Sequence, residues 1–378
     1  MNIRALAVLA LSSSLSGCFL WSSDPGPKPS PLPVFKPVGE VRELWKVSLS
    51  EAGDALLSPA FSGGSVYAAG RNGILSRIDA AGRELWRVKT APRLSGGVAS
   101  DNNVVVVASS DGELLAYEAD KGSLRWKVPV GGEILSTPLI ADDLVIVRIG
   151  DSQLAAYGSA DGKRRWLYQR AQSTLSLRSH GGLARSGDMI IAGFPGGKLL
   201  ALSLAGGIQR WEATIAQPKG SNEIERMADV VGEPLVLGDQ ICVAAFQGRV
   251  ACVERASGNL RWARDFSSAS GVSADADTLY FADHADTVYA LDLSTGASKW
   301  KQDKLARRQL ARPLALGSSV VLADAQGYAH VLGSKNGEFL ANMRIDSSGV
   351  RAPLIALPNE GFAAQALDGD VHALTLRK

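Results

Sequence analysis

The stretch Ala290-Leu-Asp-Leu-Ser-Thr-Gly-Ala-Ser-Lys-Trp300 decides the fold, because its Gly-x-x-x-Trp spacing recurs along the chain. The recurring pairs are Gly82/Trp86, Gly122/Trp126, Gly162/Trp166, Gly207/Trp211, Gly258/Trp262 and Gly296/Trp300. Trp45 lies 41 residues before Trp86 without the glycine, and Gly337 leads to Ala341, where the aromatic is lost. The chain therefore carries eight repeat positions, each about 40 residues long.

Each repeat also contains a short, largely apolar segment ahead of its glycine position. These segments are residues 73–79, 112–118, 152–158, 197–203, 248–254, 286–292, 327–333 and 369–375. Valine-rich runs bounded by Asp-Asp, Asp-Gly and Gly-Gly turn signals lie between one tryptophan and the next segment. Four short strands per repeat are typical of a propeller blade, whereas helical repeats would show a period of about 3.6 residues. The sequence therefore predicts an all-β, eight-bladed β-propeller.

The two ends of the repeat region predict how the ring closes. The last strand, residues 370–376, has no Gly-Trp strand after it, and the strand of Trp45 has no partner ahead of it. We therefore expect residues 41–49 to form the outer strand of the last blade, so that N- and C-terminal strands pair and no ring edge stays open. The propeller domain is predicted to span residues 41–378. Its tryptophans are interpreted as packing between blades rather than as cofactor contacts.

The N-terminal residues have the pattern of an export signal. Residues 1–17 carry Arg4 and then a short apolar stretch, too short to span a bilayer. Leu15-Ser-Gly-Cys18 resembles the bacterial lipobox, which implies a lipid on Cys18; the alternative is an ordinary signal peptide. Phe19 after the cysteine resembles the outer-membrane address of sorted lipoproteins. Residues 18–40 contain a proline at nearly every second position from Pro25 to Pro33, which predicts an extended spacer that buries nothing.

Charge and cysteine content limit the function classes further. The formal net charge is +2 with no run of Lys or Arg, so nucleic acid is not an expected partner. Cys242 and Cys252 flank a predicted turn at Gln247-Gly248, in an export context where thiols oxidise. With a two-residue turn Cys242 would face Val253, and a disulfide requires a bulge or a three-residue loop. The sequence leaves the disulfide open.

The segment 290–300 resembles the tryptophan-docking motif of quinoprotein dehydrogenases, whose eight-bladed propellers bind pyrroloquinoline quinone. The vicinal Cys-Cys pair usual in those enzymes is missing from this sequence, and the chain is shorter. His330 and His372 occupy the same place in neighbouring repeats, but we find no acidic or Cys residue at ligand spacing. The prediction is a protein that is not an enzyme, with no catalytic residue, no cofactor and no metal. The alternative is a periplasmic propeller that binds a quinone or another small molecule.

A resemblance to the BamB family covers nearly the whole chain. BamB proteins are propeller lipoproteins of the outer-membrane β-barrel assembly machinery, and the lipobox, spacer, eight repeats and length all match. Two local stretches are more specific: Leu175-Ser-Leu-Arg178, where other repeats carry small residues and Pro, and Ser221-Asn-Glu-Ile-Glu-Arg-Met-Ala-Asp-Val230, within the longest tryptophan spacing. The resemblance implies that Leu175, Leu177, Arg178 and Asp229 bind the periplasmic domains of BamA. Val231 stands where a second Asp is expected.

The residue types agree with a protein contact. Leu175 and Leu177 alternate with polar residues and share one face, and Arg178 offers a planar fork for a carboxylate. The alternative is that both leucines fill the blade core while Arg178 pairs with Glu225 or Asp229. The expected function is a scaffold lipoprotein, lipid-anchored at the periplasmic face of the outer membrane. It assists insertion of outer-membrane proteins, whose unfolded strands can also add to exposed blade edges.

Overall fold

The computed structural model describes residues 28–53, 55–91, 93–171, 181–217, 221–222 and 227–377. These residues form eight four-stranded antiparallel sheets arranged as a propeller, which confirms the predicted all-β fold. Within the described ranges, no helix is long and apolar enough to cross a membrane.

The chain enters the ring with β1, Glu40–Ser48, and then builds seven complete blades before the last one. Blades 1 to 4 contain, in order, Ala60–Ser62, Ser65–Gly70, Ile74–Asp79 and Glu84–Lys89 (β2–β5); Ala99–Ser100, Val104–Ala108, Glu113–Glu118 and Leu124–Pro129 (β6–β9); Leu139–Ala141, Leu144–Ile149, Gln153–Gly158 and Arg164–Gln169 (β10–β13); and Leu183–Ser186, Met189–Phe194, Lys198–Ser203 and Gln209–Thr214 (β14–β17).

Blades 5 to 7 follow the same plan, and blade 8 supplies only three strands of its own. Their bounds are Val230–Leu237, Gln240–Ala245, Val250–Glu254 and Leu260–Arg264 (β18–β21); Val272–Ala274, Thr278–Ala282, Val288–Asp292 and Ser298–Gln302 (β22–β25); Leu314–Leu316, Ser319–Ala323, Tyr328–Gly333 and Phe339–Arg344 (β26–β29); and Ile355–Leu357, Gly361–Gln365 and Asp370–Arg377 (β30–β32).

Pairing of the two ends closes the ring. β1 runs antiparallel to β32, with Val41 opposite Leu376 and Val47 opposite Val371, and it is the outer strand of blade 8. The prediction that the segment around Trp45 completes the last blade is therefore confirmed. Because the chain ends are joined by main-chain hydrogen bonds, neither end leaves an unpaired ring edge.

Each tryptophan of the described blades packs its own blade against the next one. Its ring packs on the repeat glycine of the following blade, as Trp126 does on Gly162, where an added Cβ would lie 2.8 Å from the ring. Its indole N–H donates to a main-chain carbonyl beside that glycine, at 2.8 Å from Trp126 to Ser159. The same bond is made by Trp45, Trp86, Trp166, Trp211, Trp262 and Trp300. The packing role predicted for the tryptophans is what the structure has.

Every outer strand skips one residue of the ladder immediately before the tryptophan position. In blade 2, Trp126 pairs with Ala116 and Leu124 with Tyr117, which leaves Arg125 unpaired. The same irregularity occurs in the other seven blades. Such bulges bend the strand and interrupt its free edge, so they shorten the run to which a further strand can pair.

The two cysteines of blade 5 form a disulfide. Cys242 and Cys252 are direct cross-strand partners, with Cα atoms 4.1 Å apart. Ala245 N–H donates to Arg249 O at 2.8 Å, so three residues rather than two connect the strands, and Gln247 takes a positive φ of 47° within them. One extra loop residue therefore moves Cys252, instead of Val253, opposite Cys242, as the three-residue alternative requires.

The expectation that the whole spacer buries nothing is wrong for residues 30–39. Val38 and Gly39 N–H groups both donate to Leu340 O, at 2.9 and 3.2 Å. The ring of Phe35 stacks on Phe339 with centroids 5.3 Å apart. Composition predicted an extended conformation but not that its few non-proline side chains would find partners on blade 7.

Candidate partner-binding face

The propeller has two faces, and one of them carries the connections between consecutive blades. In an antiparallel blade, the connection to the next blade and the turn between second and third strands emerge at the same end. We call this end the connection face. Two of its connections hold the predicted contact residues: the one from β13 to β14 and the one from β17 to β18. Both belong to blade 4, which they join to its two neighbours.

A buried arginine holds the end of the first connection. Arg148 is 6% exposed at the end of β11, and its Nε donates to Gly181 O at 3.0 Å. Its Nη2 also donates to Gly193 O. Burial lowers the pKa of Arg148 to about 10, partly offset by Asp151, so the guanidinium stays charged at neutral pH. The connection therefore returns to the sheet at a fixed point.

An aromatic ring between two arginines supports the same region. The guanidinium carbon of Arg148 lies 4.8 Å from the Phe194 ring centroid, and that of Arg170 lies 5.4 Å from it. Arg170 also donates to Glu212 at 2.8 Å. Cation–π contacts and the ion pair thus fix both described ends of the first connection on blade 4.

Asp229 holds the end of the second connection. Its Oδ1 accepts from Gly196 N–H at 3.1 Å, and its carbonyl accepts from Phe246 N–H at 2.8 Å. The residue is 2% exposed, so its carboxylate faces the protein rather than the surface. The described geometry makes Asp229 a support of the connection.

The two connections end side by side. Gly182 N–H donates to Gly232 O at 2.9 Å, which joins the residues just after each predicted contact stretch. Beside this bond, Arg312 of the blade 6 to 7 connection donates to Glu233 of β18 at 3.0 Å. The innermost strands of neighbouring blades contact each other around the centre of the ring. The main-chain bond therefore brings together Gly182 and Gly232, the described residues that follow the two stretches in the sequence.

Most of the predicted site lies beyond what the structure describes. Leu175, Leu177, Arg178 and Glu225 are outside the described residues, as is the predicted lipidation site Cys18. Their roles stay predictions. The sequence interpretation overlooked Arg148, although a single charge within the apolar run Leu144–Ile149 is a signal that could have identified it.

The sequence argument also overlooked acidic partners of His372. Asp346, Asp370 and His372 offer ligand atoms within 4.8 Å of one another. The expectation that no acidic residue lies at ligand spacing was therefore wrong. Lys46 of β1 pairs with Asp370 and lies 3.7 Å from Asp346, and His372 Nδ1 lies 2.6 Å from Glu43. The hydrogen bond to Asp370 raises the pKa of Lys46. An ammonium therefore supplies the positive charge in this cluster, which links the closing strand to blade 8.

Comparisons with known proteins agree on one family. The family model described as outer membrane protein assembly factor BamB matches residues 71–302. Proteins of that name are similar to this chain: one from Burkholderia pseudomallei is 39% identical over 92% of this chain and 92% of that protein. Another from Escherichia coli K12 is 34% identical over 99% and 100%.

Solved structures give the same result. The crystal structure of BamB from Moraxella catarrhalis superposes with a TM-score of 0.82 at 25% identity, covering 89% of this chain and 100% of that one. A quinohemoprotein alcohol dehydrogenase from Pseudomonas putida HK5 superposes with a TM-score of 0.71 at 14% identity, covering 90% and 76%. This second likeness concerns the fold alone.

Proposed function

Because this chain belongs to the BamB family of outer membrane protein assembly factors, we propose that it acts as a non-enzymatic scaffold in the assembly of outer-membrane β-barrel proteins. Its propeller offers a rigid ring from which connections of unequal length project. A scaffold of this kind works by binding and orienting other proteins, so its function depends on a surface rather than on reactive groups.

The partner is the set of periplasmic domains of BamA, bound by the connections on either side of blade 4. The observation that supports this proposal is the bond from Gly182 to Gly232, which joins described residues that follow the two stretches in the sequence. Leu175 and Leu177 supply apolar anchors, and Arg178 pairs with a carboxylate of the partner. Fixed ends lower the entropy that the connections lose on binding.

Asp229 contributes indirectly. With a carboxylate that accepts from Gly196 N–H and only 2% exposure, it positions the second connection instead of meeting the partner. Replacement of Asp229 should therefore weaken binding through loss of order in the connection, and less than removal of the apolar anchors.

The scaffold is held at the periplasmic face of the outer membrane by lipid on Cys18. Each buried methylene contributes about 0.8 kcal/mol to membrane binding, so more than one acyl chain gives a stable anchor. Unfolded outer-membrane strands are a second class of partner, and they would pair with the short edge runs beyond each bulge.

Complementation tests the assembly role. In a host lacking this gene, the chain should restore the amount of folded outer-membrane barrels, measured by their resistance to unfolding in detergent before heating. A quinone-binding function predicts instead that purified chain gains quinone absorbance on addition of pyrroloquinoline quinone and Ca²⁺. Full growth and barrel levels without the chain, together with such absorbance, would favour the ligand-binding alternative.

A further inference from the structure

Ser30 is held on the propeller by three hydrogen bonds. Its N–H donates to Ala306 O at 2.9 Å, its hydroxyl donates to Lys304 O at 2.8 Å, and its carbonyl accepts from Arg308 Nη1 at 2.9 Å. All three partners belong to the connection between β25 and β26, on the connection face. Main-chain groups make two of these bonds on the Ser30 side, so they fix the path of the backbone as well as the side chain.

A buried network of charged residues supports the β25 to β26 connection, which binds Ser30 and which we call the receptor connection. Arg308 is 4% exposed and donates to Asp324 at 2.6 Å, and His330 Nε2 lies 2.8 Å from the same carboxylate oxygen. Burial raises the pKa of Asp324, but the bonds from His330, Tyr328 N–H and Arg308 outweigh it and hold the pKa below its ordinary value. The Arg308 guanidinium that donates to Ser30 is therefore held in place by Asp324, independently of its bond to Ser30.

The Asp286 carboxylate fixes the far end of the receptor connection, at residues 309 and 310. Asp286 accepts from the N–H groups of Gln309 and Leu310, at 2.7 and 2.9 Å. Asp286 has a φ of 63°, at a turn where blades 1, 2, 7 and 8 have glycine. This φ is unfavourable for aspartate, but its carboxylate accepts two hydrogen bonds that a glycine could not accept. These bonds hold the shape of the receptor connection.

After Ser30, the N-terminal segment runs beside the seam between blades 7 and 8, which is the one seam that lacks a tryptophan. Ala341 stands where the other outer strands carry Trp, and it packs with Val41 of β1. Phe35 stacks on Phe339, and Val38 and Gly39 donate to Leu340 O beside Ala341. Residues 30–39, which we call the strap, thus pack on blade 7 beside the seam with blade 8, where the tryptophan is missing.

We propose that the strap fixes the point at which the lipid tether leaves the propeller, so that the connection face is turned toward the lipid surface. The proposal rests on the lipid anchor at Cys18 inferred above. Ser30 lies twelve residues after Cys18, and this length of chain reaches at most about 40 Å. A spacer free up to Glu40 would reach about 75 Å, long enough to let the propeller present either face.

Depth-dependent fluorescence quenching tests this orientation in the full-length lipidated chain. The chain is placed in phosphatidylethanolamine and phosphatidylglycerol vesicles that carry a headgroup quencher. A single reporter is attached at His284→Cys, on the connection face, or at Lys335→Cys, on the opposite face; both positions are exposed, and the native cysteines of the propeller are buried in a disulfide. The faces are separated by a strand length of about 17–20 Å, so we expect at least about twofold stronger quenching at position 284.

A proline substitution frees the Ser30 end of the strap and leaves every residue of the propeller unchanged. Ser30→Pro removes the N–H and hydroxyl donors and should bring the ratio of quenching at 284 to that at 335 close to one. Val34→Pro is the matched control, because Val34 is fully exposed, and it should keep the wild-type ratio. Equal quenching at the two positions in the wild type, or an unchanged ratio in Ser30→Pro, would overturn the proposal.

Flotation of the same samples distinguishes failure of the lipid anchor from failure of the orientation. A chain that fails to float contradicts the anchor, and the orientation with it. Equal quenching in a chain that floats contradicts the orientation alone.

Discussion

The indole nitrogen of Trp86 donates a 3.0 Å hydrogen bond to the carbonyl of Ala119 in the next blade, while its ring covers Gly122 of that blade. The glycine and tryptophan of one sequence pair therefore act at different interfaces. Gly122 receives the preceding tryptophan, and Trp126, four residues on, packs on Gly162 of the following blade. The four-residue spacing between glycine and tryptophan in the sequence therefore runs from the turn before an outer strand to the middle of that strand.

Substitution of a lock glycine should destabilise the propeller more than substitution of an open one. Gly122 and Gly131 both have positive φ, so alanine costs about 1–2 kcal/mol of conformational strain at either position. An added Cβ at Gly122 would lie 2.8 Å from the Trp86 ring, whereas none of the surrounding atoms lies within 4 Å at Gly131. We expect Gly122→Ala to lower the free energy of unfolding by about 1–3 kcal/mol more than Gly131→Ala in urea denaturation. Equal losses would contradict the lock.

The turn of the repeat should titrate at low pH. Hydrogen bonds from Ser294 and Thr295 lower the pKa of Asp292 to about 2. A lowered folded-state pKa stabilises the fold above the unfolded value of about 3.9, and this stabilisation is lost as the pH falls toward about 2. The carboxyl carbon of Asp292 should show this midpoint by NMR, and Ser294→Ala with Thr295→Ala should raise it. A midpoint near 3.9 in the wild-type chain would show that these bonds do not persist in solution.

Sequence predicted the ring well because its signals are local. A glycine four residues before a tryptophan identifies six of the eight blades, Gly337 before Ala341 marks a seventh, and the unmatched strand of Trp45 identifies the closure. The strap was missed because its bonds join Ser30 to Lys304 and Ala306, more than 270 residues away. Nothing near Ser30 in the sequence marks that contact.

The acidic partners of His372 were missed, and the disulfide was left open, for related reasons. Asp346 meets His372 only once blades 7 and 8 are assembled, and the disulfide depends on one residue of loop length between Ala245 and Arg249. Local patterns constrain each strand and turn, whereas such contacts depend on the register and spacing of whole blades.

Removal of the buried arginine should loosen the first connection. Arg148→Met keeps an apolar side chain of similar length but leaves the carbonyls of Gly181 and Gly193 without these charged donors, at a cost of about 1–3 kcal/mol. We expect faster amide hydrogen exchange at Gly182 and weaker partner binding. Arg185→Met is the control, because Arg185 is exposed on blade 4. Unchanged exchange at Gly182 in Arg148→Met would show that Arg148 does not hold the connection.

Co-purification from detergent-solubilised envelopes tests the central claim most directly. Wild type is compared with a Leu175→Ala, Leu177→Ala, Arg178→Ala variant and with a matched control, Leu85→Ala, Leu124→Ala, Arg83→Ala, which removes exposed residues of the same types from blades 1 and 2. Circular dichroism and urea denaturation first establish that all three chains are equally folded. The scaffold account predicts that wild type and control retain a BamA-like barrel protein and that the first variant loses it. Equal retention by all three would contradict the proposed binding site, and absence of such a protein from the wild-type sample would contradict the scaffold function itself.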